Sequence, residues 1–447
     1  MLKLEEKSNS VEEQPLTDAE LDDAWPLLDT AERVEGFRLL NEETAEDFFM
    51  RLPSSDQAEL LLALPHSRCR ALIRLLPPDD VSDLIQELPE ERRREFLDLL
   101  VPNTRIEVQA LLAYAEDVAG GLMNPRYLRV RPDMTVGEAL TYLRRQIRST
   151  EGKIAWAYVI DSNERLLGLV SFMHLLASDS NDKIKDIMKT DFISVTEETD
   201  QEKIGELFAE YDLTVMPVVD REGRMKGIIT VDDVVDVVVE EATEDIHKMG
   251  GTDAFDEPYW RVSFREMIRK RGGWLTVLFL GEMLTASVMA YFEKEIAEAV
   301  VLALFLPLII SSGGNSGSQA TTIIIRAMAL GEVRLRDWWR ILRREISVGF
   351  ALGCLLGIIG FFRIILWHEL GGLYGEHYLL LAVAVGISLV GVVMWGTITG
   401  SMLPFLLRSA GFDPASASAP FVATIVDVAG VLIYFTVAGY FLSGVLL

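Results

Sequence analysis

The sequence predicts a multi-domain membrane protein with an all-α superhelical N-terminal domain, a tandem pair of α/β units, and an α-helical transmembrane domain with five spans. Three observations predict it. Leu-Pro pairs at Leu52-Pro53, Leu64-Pro65, Leu76-Pro77 and Leu88-Pro89 recur every 12 residues, and Pro102 follows 13 residues after the last. Two stretches after residue 122 share one order of strand-like and helix-like segments. The charge is also unevenly divided. The 447 residues carry a formal net charge of -26 although half are hydrophobic and the mean hydropathy is +0.23. Residues 1–271 hold 57 acidic and 33 basic side chains, whereas residues 272–447 hold 11 and 9. These patterns divide the chain into a helical repeat domain (1–122), two α/β units (123–183 and 184–244), a connecting helix (245–271) and a membrane domain (272–447).

Composition removes several function classes. An acidic surface repels phosphates, so nucleic acid is not an expected partner, whereas cations are. Two cysteines, Cys69 and Cys354, supply neither a disulfide framework nor a zinc site. The N-terminus lacks the apolar core of a signal peptide. No nucleophile–base–orienter set, phosphate loop or metalloprotease motif is visible, so an enzyme is not expected.

Residues 1–45 are acidic and weakly patterned, and disorder is expected over about the first fifteen. Beyond them, each Leu-Pro pair closes one helix and restarts the next, because proline suits a helix's first turn. Such short helices stack into a superhelical array.

The first α/β unit runs through Tyr127-Leu-Arg-Val-Arg131, Ala157-Tyr-Val-Ile-Asp161 and Gly168-Leu-Val-Ser-Phe-Met-His174. The second runs through Ile187-Met188, Val215-Met-Pro-Val-Val-Asp220 and Gly227-Ile-Ile-Thr-Val-Asp-Asp233. Each reads as strand, helix, two strands and helix. Together they resemble a tandem CBS pair, a regulatory module. That resemblance implies an adenine-nucleotide site, with ATP a candidate, in which Thr230 and Asp233 hold the ribose. The first unit has Ser171 and His174 instead, so one site is implied. Downstream, Arg261, Arg265 and Arg269 are spaced by four, as on one face of a connecting helix.

Five apolar stretches follow, at about 272–292, 296–330, 347–367, 378–407 and 420–446. Each exceeds the roughly 20 residues that cross a bilayer core. Arg269, Lys270 and Arg271 precede the first; Arg334, Arg336, Arg340, Arg343 and Arg344 crowd the loop before the third; Arg408 follows the fourth. The positive-inside rule then puts the N-terminal part in the cytoplasm and the C-terminus outside, in a multi-pass protein of the cell (inner) membrane. Trp274, Trp338, Trp339 and Trp367 fall near the interfaces, as an aromatic belt would.

The second span contains Ser311-Ser-Gly-Gly-Asn-Ser-Gly-Ser-Gln319, a polar, glycine-rich interruption. It is expected to be broken backbone lining a wet cavity; the alternative is tight helix packing through small residues. Asp427 sits deep in the fifth span, with Thr424 one turn earlier. A carboxylate there costs about 2.5–3.5 kcal/mol on insertion scales and needs a partner or a pathway. Arg326 and Arg363 are the candidate ion-pair partners, and Glu282 is a second acid in the first span. A sparse oxygen site without a thiolate–histidine cage suits hydrated Mg2+, although Na+ or a proton also tolerates it.

Over residues 45–447 the order and motifs resemble the MgtE magnesium channels. The segments that carry the resemblance are Ala119-Gly-Gly-Leu-Met123, Thr230-Val-Asp-Asp-Val234, Glu241-Ala-Thr-Glu-Asp-Ile-His-Lys248, Gly313-Gly-Asn-Ser-Gly317 and Pro420-Phe-Val-Ala-Thr-Ile-Val-Asp427. The resemblance implies a homodimer that conducts Mg2+ inward between its subunits. It implies that Asp427 recognises the hydrated ion, with the Ala423 carbonyl and Asn315 nearby. It further implies regulatory Mg2+ ligands at Asp79 and Asp83, at Asp220, Glu222 and Asp232, at Asp253 and Asp256, and at Asp413. Intracellular Mg2+ would bridge these acids and favour the closed state. Three rivals are a CBS-regulated anion or solute transporter, a membrane enzyme, and a secondary transporter or exporter of divalent cations. The pore-depth acid opposes the first, and no motif supports the second.

Overall fold

The computed structural model describes residues 17–147, 155–255, 259–372 and 374–442; the expected disordered terminus lies outside them. The chain divides into two compact units, Met1–Val238 and Val239–Leu447.

The first unit opens with eight helices: α1 Asp18–Ala24, α2 Thr30–Leu39, α3 Glu42–Arg51, α4 Ser54–Ala63, α5 His66–Ile73, α6 Pro78–Glu87, α7 Glu90–Leu97 and α8 Pro102–Leu111. The Leu-Pro pairs punctuate them. Pro53, Pro65, Pro77 and Pro89 are N-cap residues of α4 to α7, where no amide donor is needed. The following proline drives the preceding residue out of the helical region, so Leu52, Leu64 and Leu88 end their helices in extended backbone. That turn also drops Leu52, Leu76 and Leu88 into the core. Alternate helices stack, α2 on α4, α4 on α6 and α6 on α8. One charge is buried with compensation: Arg33 meets Asp56 at 3.3 Å and Glu59 at 2.9 Å and donates to the Trp25 carbonyl at 2.8 Å.

After a short helix α9 (Ala119–Leu122), the two α/β units follow with identical topology. The first comprises β1 (Arg129–Val130), α10 (Val136–Ile147), β2 (Trp156–Ile160), β3 (Leu166–Ser171) and α11 (Phe172–Ala177). A turn of helix, α12 (Ile184–Ile187), leads to β4 (Val195–Thr196), α13 (Gln201–Tyr211), β5 (Val215–Val219), β6 (Met225–Thr230) and α14 (Val231–Met249). The central strand of each sheet pairs parallel with the first and antiparallel with the third, and both ladders shift register at the same place. This is the expected strand–helix–strand–strand–helix order, and its apolar strands bury Val159, Val170, Val218 and Ile229.

In the second unit, α15 (Phe264–Tyr291) precedes a short α16 (Glu293–Glu298); α17 (Leu306–Ala329), α18 (Trp338–Gly371), α19 (Tyr378–Ser409) and α20 (Ala419–Leu442) complete it. Among the described residues five helices are long and apolar enough to cross a membrane, as expected. Three details differ from the sequence reading. First, α17 is unbroken through its glycines. A Cβ on Gly396 would meet the Gly313 carbonyl oxygen at 2.3 Å, and one on Gly400 the Gly317 oxygen at 2.1 Å. The glycines therefore let α17 and α19 touch backbone to backbone, and Thr321 Oγ1 donates across to the Gly400 carbonyl at 2.9 Å. Second, α18 has 34 residues, about 51 Å at 1.5 Å per residue, well beyond a core of about 30 Å. Arg340, Arg343 and Arg344 thus continue a helix rather than occupy a loop, in keeping with arginine's helix propensity.

Third, the connector is not one helix. Helix α14 stops at Met249, before Gly250 and a Gly251 of positive φ (+73°). Ser263 then caps α15 by accepting from the Glu266 amide at 3.2 Å. Arg265 and Arg269 are on α15, but Arg261 precedes it, so the three share no helical face.

Candidate ion sites

The first unit gathers acids where α6 meets the start of α14. Pro77 and Pro78 start α6, which puts Asp79 and Asp80 in its first turn, where the helix dipole favours carboxylates. Thr230 ends β6, and its hydroxyl donates to Asp233 Oδ2 at 2.8 Å. One oxygen each of Asp79, Asp80 and Asp233 lie within 4.8 Å of one another. Asn124 Nδ2 donates to Asp79 Oδ1 at 3.1 Å. Desolvation, then the neighbouring charges of Asp80 and Asp233, hold Asp79 well above the usual carboxylate range. Burial and Asp233 raise Asp80 to about 6; burial, Asp80 and Asp233 raise Asp83 to about 7; burial raises Asp233 to about 6 against the Thr230 hydrogen bond. Desolvation is the first cause of each shift and neighbouring carboxylates add to it; a bound divalent cation would offset both.

The sequence motifs imply Asp79, Asp83 and Asp232 as ligands but not Asp80, and imply Asp233 on a ribose. Asp80 was visible as the second acid of Pro78-Asp-Asp, but only the packing of α6 on α14 reveals its partner. The acids open onto a cleft of about 1040 Å³, whose lining includes Trp156, Tyr158, Thr230 and Asp233. Asp220 and Glu222 lie elsewhere, in the β5–β6 turn. Asp220 Oδ1 accepts from the amides of Glu222 and Arg224 at 3.0 and 2.8 Å, and Arg224 pairs with Asp220 at 2.8 Å and Glu222 at 3.0 Å. These bonds outweigh desolvation and hold Asp220 below its ordinary value.

In the second unit, Asp413 caps a 3₁₀ turn by accepting from the Ala415 amide at 2.8 Å and pairs with Lys248 at 2.6 Å. Lys248 also pairs with Glu244 at 2.5 Å. Desolvation, then the Asp413 charge, raises Asp245 to about 6. Asp253 is exposed, and its amide meets the Lys270 carbonyl at 3.5 Å. Asp256 lies outside the described residues.

The membrane helices form the other site. Gly314 of α17 lies against Ala423 of α20, where an added Cβ would sit 3.5 Å from that of Ala423. Ser318 Oγ donates to the Ala419 carbonyl at 3.3 Å. Next to this seam Ser311, Asn315, Gln319 and Thr322 are exposed on α17 at spacings of four, four and three, so they form one polar stripe on a spanning helix. Asp427, half-buried, lies one turn beyond Ala423. Its carboxyl lies close to that of Glu282 on α15. Among the described residues neither acid has a salt bridge to a basic side chain. Arg363 instead stacks over Phe305 and Trp367, at 5.9 and 5.3 Å from the ring centroids. The expectation of Arg363 as a structural ion-pair partner is therefore not met, and no ion pair joins Arg326 to Asp427.

Comparison with known proteins locates these features. The family described as a divalent cation transporter matches residues 306–437, the MgtE intracellular N domain matches 16–117, and the CBS domain matches 115–180 and 184–240. The magnesium transporter MgtE of Thermus thermophilus is 44% identical over 344 residues, 77% of this chain and 74% of that protein. Its namesake in Enterococcus faecalis is 32% identical, over 75% and 72% of the two chains. Among solved structures, the cytosolic domain of the Mg2+ channel MgtE in complex with ATP is 41% identical with a TM-score of 0.46, matching 50% of this chain and 90% of that one. With matches along N-terminal, CBS and membrane regions alike, the chain belongs to the MgtE family of magnesium transporters.

Proposed function

We propose that the chain is a Mg2+-selective channel that admits Mg2+ to the cell and is closed by Mg2+ bound to its cytoplasmic acids. The observation that carries the proposal is the polar stripe of α17 on a spanning helix beside the half-buried Asp427, an acid without a basic partner among the described residues. Water-filled surroundings are what an exposed Asn–Gln stripe at that depth requires. Asp427, the Ala423 carbonyl and Asn315 then meet an ion that keeps much of its water. A stripe open on one chain needs a second wall, and a second copy supplies it in a homodimer. Exposed Val231, Val235 and Val238, on one face of α14, suit the same association.

Closure follows from charge. Without Mg2+ the acids around Asp79, Asp80, Asp83, Asp232 and Asp233 repel; Mg2+ bridges them. Asp220 and Glu222, and separately Asp253, Asp256 and Asp413, are further candidate Mg2+ ligands. ATP is a candidate second ligand, with Thr230 and Asp233 at the cleft. The large N-terminal part is cytoplasmic and the C-terminus external, from the arginine bias. Unitary Mg2+ currents in excised patches, falling as Mg2+ is raised on the cytoplasmic face, are expected. Mg2+ flux that stops without a counter-transported ion would instead indicate a coupled transporter or exporter.

A further inference from the structure

Glu282 lies within the apolar part of the first spanning helix, and the family resemblance assigns it no role. It sits on α15, whose flank toward α20 is marked by Gly281: a Cβ there would meet Thr424 Cγ2 at 2.5 Å. Asp427 lies three residues after Thr424, so the next turn of the same contact brings its carboxyl against that of Glu282. Thr285, one turn beyond Glu282 and four residues after Gly281, is nine-tenths buried, the one buried residue of α15, and its hydroxyl has no hydrogen-bond partner. Two carboxyls and an unsatisfied hydroxyl thus converge on the contact between two spanning helices. Among the described residues no basic side chain pairs with either acid. Glu282 itself is exposed on the single chain, at a depth where an uncompensated carboxylate is costly.

We propose that Glu282 is a second carboxylate of the permeation site, sharing the passing divalent cation with Asp427 and setting the preference for Mg2+ over monovalent ions. The proposal rests on the reading of Asp427 as the pore acid. The chemistry favours it: two close carboxylates repel one another and hold a +2 charge much better than a +1 charge, whereas one carboxylate discriminates less between them. The Thr285 hydroxyl, buried and without a hydrogen-bond partner, lies one turn from Glu282 on the same helix.

The test is the reversal potential of the full-length channel in mixed Mg2+ and Na+, measured for wild type, Glu282→Gln, Glu282→Asp, Asp427→Asn and the double variant. Glu282→Gln is expected to conduct, with its Mg2+:Na+ permeability ratio reduced by about tenfold, as loss of one close charge partner brings. Glu282→Asp retains part of the preference, and where Asp427→Asn still conducts, Glu282→Gln adds nothing in that background. A wild-type ratio in Glu282→Gln alongside a non-conducting Asp427→Asn overturns the role of Glu282 and leaves the pore acid standing. Unchanged conduction and selectivity in Asp427→Asn overturns the pore reading itself. Should Glu282→Gln not fold, a wild-type ratio in Glu282→Asp overturns the proposal.

Discussion

Replacing Asp80 by Asn tests whether the cytoplasmic acids act as a charge store. One oxygen each of Asp79, Asp80 and Asp233 lie within 4.8 Å. At that separation and an effective dielectric constant near 20, each ionised pair repels by about 3 kcal/mol. Asp80→Asn removes two of the three pairs. If only half of that repulsion is expressed, about 3 kcal/mol remains, roughly a hundredfold change in the proposed Mg2+-free equilibrium toward the closed state. Asparagine matches aspartate in shape, so packing is preserved. The assay is limited proteolysis of the full-length protein in detergent across a Mg2+ titration. Wild type should be cleaved without Mg2+ and protected as Mg2+ rises; Asp80→Asn should be largely protected from the outset, with a shallower Mg2+ dependence. Cleavage of Asp80→Asn identical to wild type, with the same midpoint, refutes the reasoning.

Three further outcomes follow from the structure. Asp80, Asp83 and Asp233 titrate at about 6, 7 and 6 when folded. Carboxyls raised in the folded state stabilise it fully below their unfolded values near 4, and that contribution is lost as pH rises through 6 to 7. Mg2+-free protection should therefore weaken over that window while Mg2+ affinity rises, which Mg2+ titrations of proteolysis at pH 5.5 and 8 will read. Gly400→Ala would place a Cβ 2.1 Å from the Gly317 oxygen and should destabilise the membrane domain by about 1–3 kcal/mol. Gly439→Ala, with nothing within 4 Å, should leave thermal stability unchanged. Lys248 competes with any cation for Asp413, at 2.6 Å. Its hydrogen bonds to Asp413 and Glu244 outweigh desolvation and hold it above its ordinary value. Lys248→Met should lower the Mg2+ concentration needed for closure in patch recordings.

Much of the fold was legible because local chemistry and global packing agree. A Leu-Pro pair ends one helix, starts another and buries its leucine, so a period of 12 was sufficient. The strand patterns of the CBS pair and the lengths of the five spans were equally direct. The glycines of α17 misled because small polar residues serve both a broken helix and a close helix crossing. Only the approach of Gly313 and Gly317 to Gly396 and Gly400, more than 80 residues later in sequence, decides between them. The connector failed for a local reason: Gly250-Gly251 and the Ser263 cap override the four-residue spacing of its arginines. At the sites, Asp427 stood out as an acid in an apolar run. Glu282 stood out as a second acid in a span, but its place beside Asp427 did not; Asp80 did not stand out, because its partner Asp233 is on another helix.

The central claim is that Mg2+ passes Asp427. Its most direct test is patch-clamp current carried by Mg2+ through wild type and Asp427→Ala at matched surface expression, with Mg2+ removed from the cytoplasmic face so that closure does not intervene. The account predicts a clear wild-type Mg2+ current and its loss in Asp427→Ala. An Asp427→Ala current equal to wild type in size and in Mg2+ preference would contradict it.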